Sequence, residues 1–445
     1  MTSPITTICT YYHNIYGGGV QRVMAVQAKL WIAMGYRVIV LTEQAPTEED
    51  YSLPKNVIRK TFPSGSMQTR ENFWEIFIKS EKIDVVISND WNSTIYEKDL
   101  LCIKKAGAFF VTVLHHNFSG WAYFFQNTYD FHNQKLFPLL DALVTLAPTQ
   151  QLWWSCLGAK AYYIPNPLTF SPETTPKSSP SERNIIWMGR TNDSGKKLID
   201  AIFVFSKVAD QFPDARLIVI GPLPSKPFDK TVRRLIAQLN LDSKVKLVGL
   251  KIDISEYLKN AWVHLSTSIV ESFSMVIAEA CAYSVPTVMY ELPYLAITQI
   301  NKGFMAVPQG DITGLAHALT KVLADRKLRD RLGDEAKTNL AQFEDRIIIQ
   351  NWKNLFARLE TGKISVAENN FTQDQFSDFQ AIVQEVNRSQ SYLLNEQRWK
   401  INLVNYMARF FPIDEYGNSR FKQILRWIYV NLYKRLLNLA RLIRR

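Results

Sequence analysis

The chain has 445 residues, 47% apolar and 12% aromatic, so it can bury large cores and is too long for one ordinary domain. Glycine and proline stand at ordinary levels, which excludes disordered and fibrous classes. The formal net charge is +11, but eight Lys or Arg and no acids lie between Arg420 and Arg445, leaving about +3 for the remainder. A nearly neutral body with one basic tail argues against a nucleic-acid groove and points to an anionic lipid surface or an acidic partner.

The first residues, MTSPITTICTYY, lack a basic region followed by a long apolar stretch, so no secretory signal is expected. No run approaches the ~18 apolar residues of a spanning helix. A strand is expected at 5–10 (ITTICT), then a glycine loop and a helix from about Gly19 to Met34, stopped at Gly35. Further strands are expected at 37–42 (RVIVLT), 83–88 (IDVVIS), 109–114 (FFVTVL) and 142–146 (ALVTL). Apolar strands alternating with helices imply a parallel sheet covered on both faces.

After Tyr163 come IPNPL and the Pro/Ser-rich SPETTPKSSP at 171–180, the composition of a linker. The rhythm restarts at 184–189 (NIIWMG), 215–221 (ARLIVIG), 244–249 (KVKLVG), 263–266 (VHLS) and 286–290 (PTVMY), with a helix such as 197–211 between strands. Expected boundaries are residues 1–168 for a first Rossmann-like domain, 169–182 for the linker, 183–361 for a second Rossmann-like domain and 362–445 for a helical extension. Ligands bind such folds at the carboxyl ends of the strands, here in a cleft between two sheets. The four cysteines, Cys9, Cys102, Cys156 and Cys281, have no metal-ligand spacing and read as core thiols in a reducing compartment.

The stretch ESFSMVIAE places Glu271 on a loop and Glu279 one turn inside a new helix, with Ser272 or Ser274 as its cap. Amides of Phe273, Ser274, Met275 and Val276 at that helix start suit a diphosphate. The same spacing also fits a capped core helix carrying two solvated glutamates. Gly17 to Gly19 fit either a flexible turn or a backbone that approaches a diphosphate closely. The loop does not fit the dinucleotide pattern GxGxxG. Arg190 ends a strand and Lys196 and Lys197 open the next helix, the place for cations that stabilise a departing diphosphate. His115 and His116 close an apolar strand at the expected ligand edge. No Asp-x-Asp pair occurs, which favours catalysis without a metal ion.

Five ordered features resemble family 4 glycosyltransferases of the GT-B fold: GGVQRV at 18–23, VTVLHH at 111–116, IPNPL at 164–168, WMGR with Lys196 and Lys197, and the Glu–seven residues–Glu spacing of Glu271 and Glu279. The match spans roughly residues 5–360. It implies a retaining, metal-independent hexosyltransferase whose second domain binds a nucleotide sugar and whose first presents the acceptor. It implies His115, Arg190, Lys196 and Glu271 at the reacting centre, with His115 preferred over His116. Donor contacts would come from Gly18, Gly19, Lys197, Gly249, Phe273, Ser274, Met275, Val276 and Glu279. Which lysine serves the phosphate stays open. The family often has glycines where Ser272 and Ser274 stand, a departure that could alter sugar preference.

MYELPYL at 289–295 and GFMAVPQGDITGLA at 303–316 resemble bacterial members that build surface polysaccharides, implying a glycan or lipid-linked acceptor. Helical spacing of Phe421, Ile424, Leu425, Ile428, Leu432, Leu436, Leu439 and Ile443 beside Lys422, Arg426, Lys434, Arg441 and Arg444 gives a basic amphipathic segment. It suggests attachment to an anionic membrane surface on the cytoplasmic face through residues 421–445, or docking on this protein or a partner. No cofactor or nucleic-acid partner is expected. Rival readings are a sugar-nucleotide epimerase or hydrolase on the same fold, and a non-catalytic subunit of a polysaccharide assembly.

Overall fold

The computed structural model describes residues 4–63, 65–117, 133–191, 195–222, 226–298, 302–363 and 384. The expected helical extension at 362–445, with its basic amphipathic segment at 421–445, lies outside these residues apart from 362, 363 and 384.

The first sheet is built from β1 (Thr7–Tyr12), β2 (Arg37–Thr42), β3 (Ile58–Thr61), β4 (Val85–Ser88), β5 (Phe109–Val113), β6 (Ala142–Thr145) and β7 (Ala161–Tyr163). Its order is β3-β2-β1-β4-β5-β6-β7, and every pair is parallel. Helices α1 (Gly19–Ala33), α2 (Met67–Glu81), α3 (Tyr96–Lys105) and α4 (Pro148–Cys156) connect the strands. Cys9, Val86, Val111 and Val144 on the central strands are fully buried, as a sheet covered on both faces requires. Gly35, at φ 91, takes the left-handed turn that ends α1.

The second sheet repeats the plan with β8 (Asn184–Met188), β9 (Arg216–Ile220), β10 (Val245–Gly249), β11 (Val263–Ser266), β12 (Thr287–Tyr290) and β13 (Phe304–Val307). The order is β10-β9-β8-β11-β12-β13, again parallel throughout. Its helices are α5 (Leu198–Val208), α6 (Lys226–Gln238), α7 (Ser255–Lys259), α8 (Met275–Ala282), α9 (Ile312–Ala324) and α10 (Arg326–Thr338). In each sheet the strand order reverses direction beside the first strand, between β1 and β4 and between β8 and β11. Those two switch points are where open α/β sheets bind ligands. Both doubly wound sheets agree with the expected fold class.

The Pro/Ser stretch is fastened to the second domain. Ser178 is buried; its amide donates to the Tyr283 carbonyl at 2.7 Å and its hydroxyl to the Ala261 carbonyl at 2.6 Å. Arg329, buried beneath it, donates to the Ser178 hydroxyl at 2.9 Å and to the Ala261 carbonyl at 3.0 Å. After α10 the chain forms α11 (Asp345–Thr361), which packs on the first domain. Trp352 meets Trp31 edge to face at 5.2 Å, Phe356 meets Tyr36 at 5.2 Å, and Glu360 accepts from the Ile5 amide at 2.7 Å.

Only Cys9 and Cys281 are buried thiols; Cys102 is half-buried and Cys156 is exposed where α4 ends. The expectation of four core thiols therefore fails at Cys156, which lies beyond the apolar face of a short helix. Among the described residues no helix is long and apolar enough to cross a membrane.

Candidate active site

The loop after β11 carries the carboxylate that the sequence singles out. Glu271 is buried and forms an ion pair with the Lys196 amine. Its amide donates to the Tyr294 hydroxyl at 3.3 Å, and its carbonyl accepts from the Asn117 side chain at 3.0 Å. Three backbone or side-chain anchors thus fix one loop residue. The loop then turns sharply at Ser274, whose φ is 67 in the left-handed region.

That turn corrects one expectation. A serine caps a helix from an extended backbone, with its hydroxyl over the amides of the first turn. Ser274 occupies the cap position of α8 but makes no side-chain capping bond, because its left-handed backbone aims the hydroxyl elsewhere. Its Oγ is buried and has no hydrogen-bond partner among the described residues. Met275 and Val276 open the helix, where amides have no earlier helical carbonyl to reach. Phe273 is buried and packs edge to face on Phe343 at 5.1 Å, so it anchors the loop through its ring.

The cationic side is set by β8 and the start of α5. Gly221 lies against the Gly189 carbonyl so closely that any Cβ there would overlap it. This tight approach lets the chain turn out of β8 at Arg190, an exposed residue whose charge opposes the burial-driven rise of the Tyr12 phenol pKa. Lys197, at φ 50, is the residue before α5. The Thr267 hydroxyl lies 2.8 Å from the Lys196 carbonyl and 3.0 Å from that of Lys197, and accepts from the Trp187 indole at 3.0 Å. These contacts separate the two lysines: Lys196 reaches Glu271, and Lys197 supplies the left-handed start of the helix.

Glu279 sits five residues into α8, almost fully buried. Arg22 of α1, in the other domain, donates to it at 2.7 Å and to the Ile252 carbonyl at 2.7 Å. Burial raises the carboxyl pKa above its ordinary value, and the Arg22 guanidinium opposes that rise. In the glycine loop Gly17 has φ 80, and a Cβ on Gly19 would stand 3.9 Å from Met275. Gly18 precedes α1 in an extended conformation. Gly249, at φ 76, turns the chain out of β10 and accepts from the Gly221 amide at 3.0 Å. The residues beyond it, Leu250 and Ile252, line a pocket of about 210 Å³ with Tyr16, Gly17, Glu49 and Tyr51.

His115 follows β5 and its Nε2 lies 2.8 Å from Asn89 Oδ1. The Asn89 amide nitrogen donates to Thr10 Oγ1 at 3.0 Å, so its oxygen is the acceptor and His115 carries its proton on Nε2. Burial pushes the imidazole pKa down to about 3, so the ring is neutral near pH 7 with Nδ1 as an acceptor. His116 has its Nδ1 3.0 Å from the Asn117 carbonyl and its ring against Trp91 at 5.6 Å. Elsewhere on this edge, His13 pairs with Glu43 at 3.0 Å. The hydrogen bond to Glu43 raises the His13 pKa, and the bond to His13 holds the Glu43 carboxyl at about 2.

The two domains meet at these carboxyl edges. Besides Arg22 and Asn117, Gln150 donates to the Ser272 carbonyl at 3.4 Å and Thr149 to the Tyr294 carbonyl at 3.1 Å. Asn166, from the IPNPL segment, points its amide at Met275 Sδ at 3.8 Å. First-domain side chains therefore converge on the 271–275 loop and its helix. Arg22, Asn117, Gln150, Thr267 and Tyr294 were not identifiable as site residues from spacing, although Arg22 stands within GGVQRV. Among the described residues no three His, Cys, Asp or Glu side chains converge in a metal-ligating group.

Two parallel Rossmann-like domains apposed at their carboxyl edges define the GT-B class of fold. Residues 173–339 match the family described as Glycosyl transferases group 1. The chain is 31% identical over 235 residues to an exopolysaccharide phosphotransferase of Streptomyces coelicolor, a match covering 50% of this chain and 24% of that one. It is 27% identical over 161 residues to a poly(glycerol-phosphate) alpha-glucosyltransferase of Bacillus subtilis, covering 36% and 24%. The chain thus spans about a quarter of the length of these two curated relatives. A solved structure of S. aureus TarM, in complex with UDP among other ligands, superposes with a TM-score of 0.67 at 12% identity, covering 79% of this chain and all of that one.

Proposed function

We propose that the chain is a retaining, metal-independent glycosyltransferase that moves a hexose from a nucleoside-diphosphate sugar to a glycan or lipid-linked acceptor in bacterial surface polysaccharide synthesis. The observation that carries this reading is the loop bearing Glu271, with Lys196 on its carboxylate and the free amides of Met275 and Val276 just beyond. A diphosphate placed at that helix start meets aligned amide dipoles. Lys196, with Arg190 on the same strand-to-helix segment, supplies the positive charge that a metal ion supplies elsewhere, and this charge stabilises the leaving group as it gains negative charge. Glu271 then orients the donor sugar, Glu279 accepts from ribose hydroxyls, and neutral His115 offers Nδ1 to a sugar hydroxyl. Gly19 and Gly18 bring first-domain backbone close to the phosphates, and Gly249 opens the loop beside the nucleoside.

The surface-polysaccharide assignment draws on the relatives' names and on the resemblance at 289–295 and 303–316. The basic pattern at 421–445 supports attachment to an anionic membrane surface on the cytoplasmic side. Deleting 421–445 then releases the chain from anionic vesicles, and continued co-sedimentation would refute the attachment. Expected domain limits are those of the sequence, 1–168 and 183–361 about a linker.

Thermal shift against UDP, GDP, ADP and their sugars tests the donor site, because a ligand that binds only the folded state stabilises it in proportion to ln(1 + [L]/Kd). At least one member raises the unfolding temperature in a saturable way. A flat response across the panel sinks the reading. Product analysis then separates glycosyl transfer from a phosphotransferase reaction of the kind named for the Streptomyces relative, and from donor hydrolysis or epimerisation.

A further inference from the structure

We propose that Arg22 is a positioning residue for the donor: from the first domain it sets the Glu279 carboxylate and the Leu250–Ile252 loop of the second, so the nucleoside site is complete only when the domains are closed. The proposal rests on the donor reading above and deepens it.

The geometry is a two-pronged clamp. One guanidinium nitrogen lies 2.7 Å from Glu279 Oε1, and the other lies 2.7 Å from the Ile252 carbonyl. The two acceptors belong to different segments of the second domain, the helix α8 and the loop after β10. A planar guanidinium with nitrogens at fixed separation ties them in one relative position, which a flexible ammonium does less well. Arg22 is itself held by α1 and by the Tyr51 ring, 5.5 Å from its centre. The clamp borders the pocket lined by Tyr16, Gly17, Tyr51, Leu250 and Ile252.

Arg22 engages Glu279 Oε1 and the Thr169 hydroxyl also lies against this carboxylate, so the lone pairs left over are what it offers to vicinal hydroxyls. A carboxylate this deeply buried tends to take up a proton, and a protonated carboxyl loses acceptor capacity. Arg22 from α1 and Tyr51 from the segment after β2 face Glu279, and Asp253 faces Arg22 beyond Ile252. Arg22 is the cation among these groups, so its removal moves the protonation of Glu279 to higher pH.

The full chain is titrated with UDP and GDP by calorimetry between pH 5 and 9, as wild type and as Arg22→Ala, Arg22→Gln and Arg22→Lys. Arg22→Ala and Arg22→Gln weaken nucleotide binding by roughly tenfold or more, the scale of a charge-assisted hydrogen bond. Arg22→Lys restores part of the loss. The acid-side fall of affinity sits at higher pH in Arg22→Ala than in wild type. Equal or tighter binding by Arg22→Ala overturns the proposal, the tighter case revealing an inhibitory latch. A loss that is the same at every pH also overturns it. Should Arg22→Ala fail to fold, Glu279→Gln is compared with Arg22→Gln/Glu279→Gln. The step from Glu279→Gln to the double variant is smaller than the step from wild type to Arg22→Gln, because the carboxylate prong is already lost and only the Ile252 prong remains, and a fully additive loss overturns the idea. A wild-type chain that binds neither of these nucleotides, nor ADP, nor any of the corresponding nucleotide sugars overturns the donor reading and this proposal together; tight binding by wild type and Arg22→Ala alike overturns this proposal alone.

Discussion

Replacing Ser274 with glycine is expected to stabilise the unliganded protein while weakening donor binding. Ser274 holds a left-handed backbone at φ 67, which costs a residue with a Cβ about 1–2 kcal/mol relative to glycine. Its buried hydroxyl lacks a partner among the described residues, and such a group costs about 1–3 kcal/mol. Glycine returns part of this gain through the greater freedom of its unfolded chain, about 0.4–1 kcal/mol. The net expectation for Ser274→Gly is stabilisation by about 1–4.5 kcal/mol. Ser274→Ala removes the hydroxyl but keeps the strained Cβ, so it recovers only the second component, the cost of the unpartnered hydroxyl. Urea unfolding of wild type and both variants separates the two terms through their midpoints at constant m-value. The same three proteins are then unfolded with saturating UDP. If the hydroxyl awaits a donor oxygen, the ligand-induced gain shrinks in both variants. A Ser274→Gly protein no more stable than wild type refutes the strain argument. Equal UDP-induced gains in all three refute the role of the hydroxyl.

Two further perturbations test the site from other directions. Lys196→Ala removes the amine paired with Glu271, and turnover is expected to fall by roughly 100-fold or more, the scale seen when one preorganised charge donor is lost; activity within a few-fold of wild type would contradict the assignment. His13→Asn tests the titrating pair on the first sheet's edge. The folded-state pKa of His13 is raised above the unfolded value, so its stabilisation is fully present below the unfolded pKa and is lost as pH rises through the folded one. Wild type and His13→Asn should therefore converge in urea midpoint toward pH 9 and diverge at pH 6, and a constant gap contradicts the shift.

The sheet scaffold was legible because its central strands are apolar on both faces. RVIVLT and ALVTL cannot be mistaken for solvated loops, and the glycines at Gly35 and Gly249 mark where the chain must turn. Three strands had no such signature. β3 is IRKT, a partly exposed edge strand whose lysine and arginine hide its pairing with β2. β7 is only three residues long. β13, FMAV, is only four residues long and nowhere fully buried. At the site, spacing revealed residues that act through their own helix or loop, such as Glu271 and Glu279. It was silent on Asn117, Gln150 and Tyr294, because each matters through a partner more than twenty residues away that only the folded chain brings near. The left-handed backbone at Ser274 was hidden for a related reason. A serine before an apolar helix resembles a cap in any sequence, and its left-handed conformation shows only in the folded chain.

The return of α11 to the first domain has a consequence for how the polypeptide is made. Trp31 is fully buried with Trp352 as its edge-to-face neighbour, yet more than three hundred residues separate the two. A ribosome that has released only the first sheet leaves this indole without its cover until the far end of the second sheet has been synthesised. The early half must wait, partly unsealed, for its last staple. Severing the gene between the sheets would give an amino-terminal fragment with a bare aromatic face, prone to associate with itself rather than remain dispersed.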